Sequence, residues 1–151
     1  MEAKTRLLEK VNFMGDKVDV SAAVANQRLL DGYLGLRALS PSSEEGYTSA
    51  LASFTRHVGL PLEEAGELDM ETWYRLVRAG GLMASSTVIY AVYLEELLRH
   101  SLRGRGLGRR AAKARAASIM DGVPLRDLRR EMRRHYEFRE MLILRDEEAA
   151  I

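Results

Sequence analysis

The chain has 151 residues, 46% of them hydrophobic and 30% charged, with a net charge of +1 at pH 7, which suffices for a packed domain that needs no covalent staple. It contains no cysteine, so disulfides and thiolate metal sites are excluded. No apolar run approaches the ~20 residues of a membrane span, and the charged opening MEAKTRLLEK carries no signal-peptide core; a cytoplasmic protein with no membrane partner is expected.

The period-two alternation of strands is missing throughout, whereas helical spacing recurs. A short helix is predicted over residues 3–14, with Leu7, Leu8, Val11 and Met14 on one side, ending at Gly15-Asp16. A second runs from about Ser21 to Leu39, with Val24, Leu30, Tyr33, Leu34 and Leu36 as its apolar positions. Ser40-Pro41 is a start signal, since Ser caps exposed N–H groups and Pro suits the first helical position. Glu44 and Glu45 follow in or near the first turn, where the helix dipole favours anions. Tyr47, Leu51, Phe54 and Val58 then form one apolar stripe, and Gly59-Leu60-Pro61 ends the helix.

Residues 61–68 read as an acidic loop or short turn. Asp69 is the expected N-cap of a helix over 70–79 bearing Met70, Trp73, Leu76 and Val77, closed by Gly80-Gly81. Ser85 or Ser86 is expected to cap a helix over about 86–102 with Ile89, Val92, Tyr93, Leu97 and Leu98 as its apolar side. A glycine-bearing loop from Arg103 to Gly108 precedes an Ala-rich basic helix over about 109–120. After Gly122-Val123-Pro124, a last helix from about residue 125 carries Leu125, Leu128, Met132, Tyr136 and Met141 on one side and an acidic tail beyond Arg145. The expected fold is an all-α compact helical bundle: an N-terminal helical extension (1–39), a central bundle (40–122), and a C-terminal helix with an acidic tail (123–151).

Charge is distributed unevenly. Residues 99–134 hold twelve basic and three acidic side chains, while residues 1–98 hold nine and fourteen, and residues 135–151 two and five. A basic block of this kind generates a local field that attracts polyanions. Its first half, with Arg99, Arg103, Arg105, Arg109, Arg110, Lys113 and Arg115, is read as a phosphate-gripping stripe, because Arg presents a planar fork to phosphate and glycines let backbone approach it. The alternative is a solvated face paired with acidic residues elsewhere. The second half, Arg126, Arg129, Arg130, Arg133 and Arg134, is interleaved with Asp127 and Glu131, and internal pairing at helical spacing is expected to absorb part of its charge.

The run Tyr33-Leu34-Gly35-Leu36-Arg37-Ala38-Leu39-Ser40-Pro41-Ser42-Ser43, leading into Tyr47, Leu51, Phe54 and Gly59, resembles the opening of the core-binding domain of tyrosine recombinases of the phage-integrase type. There a leader helix ends in a Leu-Ser turn, and a Thr or Ser stands four residues before an aromatic, as Ser43 and Tyr47 do here. A capped short helix, a Gly turn, Ser85-Ser86-Thr87 opening a long helix and a basic Gly-bearing segment continue the likeness over about residues 28–120. The resemblance implies a SAM-like domain that forms one half of a clamp around duplex DNA, with the helices beginning near Pro41 and Ser86 approaching the major groove. Ser43, Ser85, Ser86 and Thr87 would then reach phosphates through hydroxyls and helix N-termini, and Arg56 would reach a groove. For each of these, capping or an ordinary surface role is the competing reading.

The family's other half carries catalysis by Arg, Lys, His-x-x-Arg and a nucleophilic Tyr. His100-Ser101-Leu102-Arg103 satisfies the His-x-x-Arg spacing, but it lies in the basic segment without the upstream Arg context, and Tyr136 directly after His135 is not at the family's spacing. No catalytic residues are therefore assigned. Residues 142–148 resemble the linker into such a catalytic domain, so a separate or missing recombinase catalytic domain is an implied partner. Three separated histidines, His57, His100 and His135, give no metal-ligand pattern, and no cofactor is expected. The expected activity is double-stranded DNA binding with no cleavage by this chain, as a monomer or weak dimer assembling on DNA and nucleoid-associated. The alternatives are an architectural, partition or regulatory DNA-binding protein, or an all-α interaction adaptor.

Overall fold

The computed structural model describes Leu7 and residues 20–135. Regular structure among these residues is helical throughout: α1 (Val20–Gly35), α2 (Pro41–Val58), a 3-10 turn (Leu62–Glu64), α3 (Glu67–Ala79), α4 (Ala84–Gly104), α5 (Arg109–Met120) and α6 over residues 125–135. The expected all-α bundle is what the chain forms. The expected helix over 3–14 lies outside the described residues except for Leu7, which is helical and fully buried; Tyr136 and Met141 also lie outside them.

α1 buries Ala22, Ala23, Asn26, Gln27, Leu30 and Tyr33. Of the expected apolar positions Leu30 and Tyr33 are buried and Leu34 packs partly against the core, whereas Val24 and Leu36 are exposed (38% and 75%). The phase is set by two amides that the apolar pattern did not mark. Asn26 Nδ2 donates to Thr55 Oγ1 (2.9 Å) and to the Leu60 carbonyl (3.1 Å), and Asn26 Oδ1 accepts from Leu62 N (2.7 Å). Gln27 Oε1 accepts from Leu7 N (3.3 Å) while its Nε2 donates to Asp31 Oδ1 (2.9 Å). Buried polar groups must be satisfied, and these are, so α1 has a fixed rotation against α2 and the 3-10 turn. The helix ends at Gly35, four residues earlier than expected.

α2 begins as its sequence dictates: Ser40 is extended (φ −67°, ψ 155°), its Oγ accepts from Ser43 N (3.3 Å), and Pro41 starts the helix. Gly59 ends it in the left-handed conformation (φ 72°), with its N–H on Thr55 O at 2.9 Å. Tyr47, Leu51 and Phe54 are buried. α3 starts at Glu67, before the expected point. Asp69 is not the N-cap; it sits in the first turn, and its Oδ2 accepts the N–H of the capping residue Gly66 at 2.8 Å, half of a capping box. Trp73 is fully buried, with Nε1 donating to Ser53 Oγ (3.1 Å), whereas Leu76 is 42% exposed.

The turn from α3 to α4 is tight. Gly81 is left-handed (φ 94°) and Leu82 N bonds back to Val77 O at 3.0 Å, so α4 begins at Ala84 with Met83 as its cap residue. Neither Ser85 nor Ser86 caps the helix; both lie inside its first turn. The buried side of α4 is Thr87, Val88, Ala91, Leu94, Leu97, Leu98, Ser101 and Leu102; Leu97 and Leu98 are buried as expected and Tyr93 packs partly against the core, while Ile89 and Val92 are exposed. α4 is the central helix and packs on α1, α2, α3 and α5.

α4 runs through Gly104, so Arg103 is helical and the linking segment is only residues 105–108, turned by Gly106 (φ 98°). α5 lies close on α4 because its buried face is Ala112, Ala116, Ile119 and Met120. Gly122 then passes the first turn of α3 so closely that a Cβ there would sit 2.3 Å from Glu67 O. α6 anchors through Leu128, and Arg78 holds both oxygens of Glu131 at 2.9 Å. A single apolar core thus includes Leu7, Leu30 and Tyr33 at one margin and Leu128 at the other.

Candidate nucleic-acid interface

Three segments converge at the C-terminal end of α4. The turn after α1 supplies Leu36 and Arg37. The last turns of α4 supply Glu96, Arg99, His100, Arg103 and Gly104, and the first turns of α5 supply Arg109, Ala112 and Lys113. Together they line a cleft of about 590 Å³. Spacing explains the convergence. Glu96, Arg99 or His100, and Arg103 recur at helical intervals on one side of α4, as Arg109 and Lys113 do on α5. The four-residue link folds the second pair back toward the first.

Among the described residues the cleft therefore gathers five permanent or near-permanent cations against one lining carboxylate, Glu96. Arg99 serves partly as a strut: Nη1 donates to Glu96 Oε1 at 3.1 Å, Nη2 lies 3.7 Å from Glu95 Oε2, and its buried Nε has no acceptor among the described residues. Arg103, Arg109 and Lys113 are exposed and take part in no ion pair among the described residues.

Arg37 is positioned by an aromatic ladder. Its guanidinium carbon lies 4.0 Å over the Tyr33 ring, a cation–π contact. Tyr33 OH donates to Tyr47 OH at 2.8 Å, and the rings of Tyr33–Tyr47 and Tyr47–Tyr93 are 4.8 Å and 4.4 Å apart. Burial, reinforced by the hydrogen bond from Tyr33, pushes the Tyr47 phenol well above its ordinary range, so it stays neutral. His100 meets the Tyr33 ring edge-on at 5.5 Å. Burial, and secondarily the Arg37 guanidinium, holds its imidazole below the usual range.

Of the seven basic residues read as one stripe, the fold brings Arg99, Arg103, Arg109 and Lys113 together. Arg105 turns away to Glu63 (3.6 Å). Arg110 and Arg115 are exposed but do not line the cleft. Arg37 was missed, because it lies in the acid-rich half of the sequence and reaches the cleft only through tertiary packing. His100 was noted only as one of three scattered histidines and as half of a His-x-x-Arg pair.

The hydroxyl and groove candidates do not form one surface. α2 and α4 run antiparallel: Gly46 abuts the Tyr93 ring, whereas Ala52, Ser53 and Arg56 border the same cavity as Tyr90, Gly81 and Leu82. The N-termini of the two helices therefore point to opposite ends of the bundle and cannot enter one groove side by side. Ser43 lies toward the His100 end, half-buried and bonded to Ser40 Oγ at 3.1 Å. Ser85 and Ser86 lie at the far end with Arg56, about 21 Å along α4 from Arg99 at 1.5 Å per residue. Thr87 cannot contact a ligand in this arrangement, since it is fully buried and its hydroxyl donates to Met83 O at 2.8 Å.

In α6, Arg126, Arg129, Arg130, Arg133 and Arg134 are exposed, and Glu131 is engaged by Arg78 rather than by them. Among the described residues no three His, Asp or Glu side chains are grouped to hold a metal ion, and no helix is long and apolar enough to cross a membrane. Fold and site define an all-helical bundle with a basic cleft at one end. No protein-family model matches the chain, and neither a curated protein nor a solved structure shows significant similarity to it.

Proposed function

We propose that the chain binds duplex DNA through the cleft at the C-terminal end of α4, using Arg37, Arg103, Arg109 and Lys113 on backbone phosphates with Arg99 as a buttress. The observation that carries this reading is the convergence of five cations from three segments on one concavity, four of them exposed and outside any ion pair among the described residues. Structural ion-pair networks ordinarily match their charges; among the described residues this cleft does not. Arg forks and a Lys point charge suit phosphate oxygens. Contacts to phosphate position a protein without reading sequence, so the expected binding is sequence-tolerant.

Each neutralised phosphate releases counterions and steepens the salt dependence, with a slope of about −0.9 per phosphate contact on a log–log plot. Four cations in contact give a slope of roughly −3.6. Titration of a labelled random duplex at several salt concentrations tests this. A salt-independent signal, or no binding at low salt, refutes it.

The finer form of the proposal is the core-binding role of a tyrosine recombinase, which holds DNA for strand cleavage carried out by a catalytic domain elsewhere. Its support is the residue pattern around Ser40 and Tyr47 together with a basic site near the end of the long helix. Footprinting on inverted-repeat core sites separates it from an architectural or regulatory binder: protection of paired half-sites supports the recombinase role, and uniform protection opposes it.

A further inference from the structure

The cleft's shape and charge do not match those of a single backbone phosphate. A phosphodiester brings one negative charge, and successive charges on one strand are spread about 3.4 Å apart along the duplex axis. The concavity, at about 590 Å³, lies within the range of small-molecule sites, roughly 300–1,000 Å³. Among the described residues its five cations face one lining carboxylate, so on these residues a surplus of positive charge remains after any single phosphodiester has entered. The ligand that neutralises this surplus in so small a space carries several phosphates linked directly to one another.

We infer that the cleft is also a binding site for a compact oligophosphate, held by Arg37, Arg103, Arg109 and Lys113, which competes with DNA for these side chains. The inference rests on the reading that the cleft takes phosphate. Arg103 and Lys113 reach in from different helices, so they grip a linked chain at two points. Arg37 is preorganised by its stacking on Tyr33, which lowers the ordering cost of binding. The first turn of α5 lines the same cleft, and its cap residue, Gly108, supplies no side-chain acceptor to its N–H groups; helix N-termini favour anions.

Recognition is of the phosphates and not of a base. Tyr33, the ring on which Arg37 stacks, is only 2% exposed, so it offers no face for a base. Leu36, at the rim and 75% exposed, gives a nucleoside only a small apolar contact. Inorganic tripolyphosphate and a nucleoside triphosphate are therefore expected to bind with affinities within a few-fold of each other.

The test is calorimetric titration of the full chain with sodium tripolyphosphate, ATP without magnesium, and orthophosphate, alongside competition against labelled duplex DNA. One saturable site per chain is expected for the first two ligands, with orthophosphate at least about tenfold weaker, the equivalent of ~1.4 kcal/mol. Arg103→Ala combined with Lys113→Ala should weaken tripolyphosphate about tenfold or more, while Arg75→Ala combined with Arg129→Ala, outside the cleft, should not. Circular dichroism confirms that both double variants retain their helices; the mutated side chains are all exposed.

Absence of a saturable site, equal affinity for orthophosphate, or equal weakening by the outside pair overturns the inference. ATP binding much more tightly than tripolyphosphate overturns the claim that phosphates alone are read. DNA binding with no response to tripolyphosphate overturns this inference and leaves the DNA reading standing. Saturable tripolyphosphate binding with no DNA binding has the reverse effect.

Discussion

Asn26 is the residue whose loss should most clearly expose how the bundle is held. It is 1% exposed and joins three elements: Nδ2 donates to Thr55 Oγ1 in α2 and to Leu60 O beyond it, and Oδ1 accepts from Leu62 N in the 3-10 turn. In Asn26→Ala the N–H of fully buried Leu62 is left without an acceptor, which costs about 1–3 kcal/mol. The two lost donor bonds add about 0.5–1.5 kcal/mol each, softened because Leu60 is only half-buried and Thr55 still donates to Leu51 O at 2.7 Å. The total is about 3 kcal/mol against a typical domain stability of about 5–15 kcal/mol. Urea unfolding followed by circular dichroism measures the loss directly, and thermal melting should show a fall of roughly 6–12 °C. Val24→Ala, two residues away and on the exposed side of the helix, should change stability by no more than about 0.5 kcal/mol. A loss below about 1 kcal/mol for Asn26→Ala, or one as large for Val24→Ala, would refute the assignment of α1's rotation to the amides.

Further predictions concern the ladder and the cleft. In Gly46→Ala the new Cβ falls 2.6 Å from Tyr93 Cε2, so the ring must move; overpacking of this kind costs about 1–3 kcal/mol, and the near-ultraviolet tyrosine signal should change with it. Glu96→Ala removes the lining carboxylate and releases Arg99, so DNA affinity should rise several-fold in an anisotropy titration; a fall would show that the strut matters more than the charge. His100 faces Tyr33 and Gly32 from α1, Arg37 beyond it, Glu96, Arg99 and Arg103 on its own helix, and Arg109 and Lys113 from α5. Its neutral form is favoured in the free protein, so the unfolded chain binds that proton more tightly and stability falls as pH drops through the usual imidazole range. A bound phosphate offsets the Arg37 field and favours the imidazolium. Affinity for DNA should therefore rise from about pH 7.5 to about pH 5.5, a window in which His alone changes charge at its ordinary pKa, and His100→Gln should flatten that rise.

The elements with explicit end signals were legible in the sequence. Ser40-Pro41 and Gly59 bracket α2 as expected, because capping chemistry is local and acts within one turn. The buried faces of α1 and α4 were legible only in part, with Leu30, Tyr33, Leu97 and Leu98 on them as expected, for a specific reason. Their buried faces are built from Ala, Thr, Ser, Asn and Gln among the larger apolar residues, and a reading that counts only large apolar side chains selects Val24, Ile89 and Val92 instead. Ser85 and Ser86 looked like caps, but the Gly80-Gly81 turn returns the chain early enough for the helix to start at Ala84. The basic stripe was legible as composition and only half legible as a site. Sequence order cannot show that Arg105 reaches Glu63, or that Arg37 crosses from the acid-rich half to join Arg103 and Lys113.

If the cations of one cleft, and not the basic character of the chain at large, bind DNA, the loss of binding must be local to that cleft. Triple replacement of Arg103, Arg109 and Lys113 by Glu, compared with Arg110→Glu plus Arg115→Glu on the neighbouring surface, tests it most directly in salt-dependent anisotropy with a random duplex. The triple variant should lose binding while keeping its helical signal, and neutral replacements at the same three positions should flatten the log–log salt slope by roughly 2.7, with the comparison pair much less affected. Equal losses from both sets, or a triple variant that binds like the unaltered chain, would contradict it.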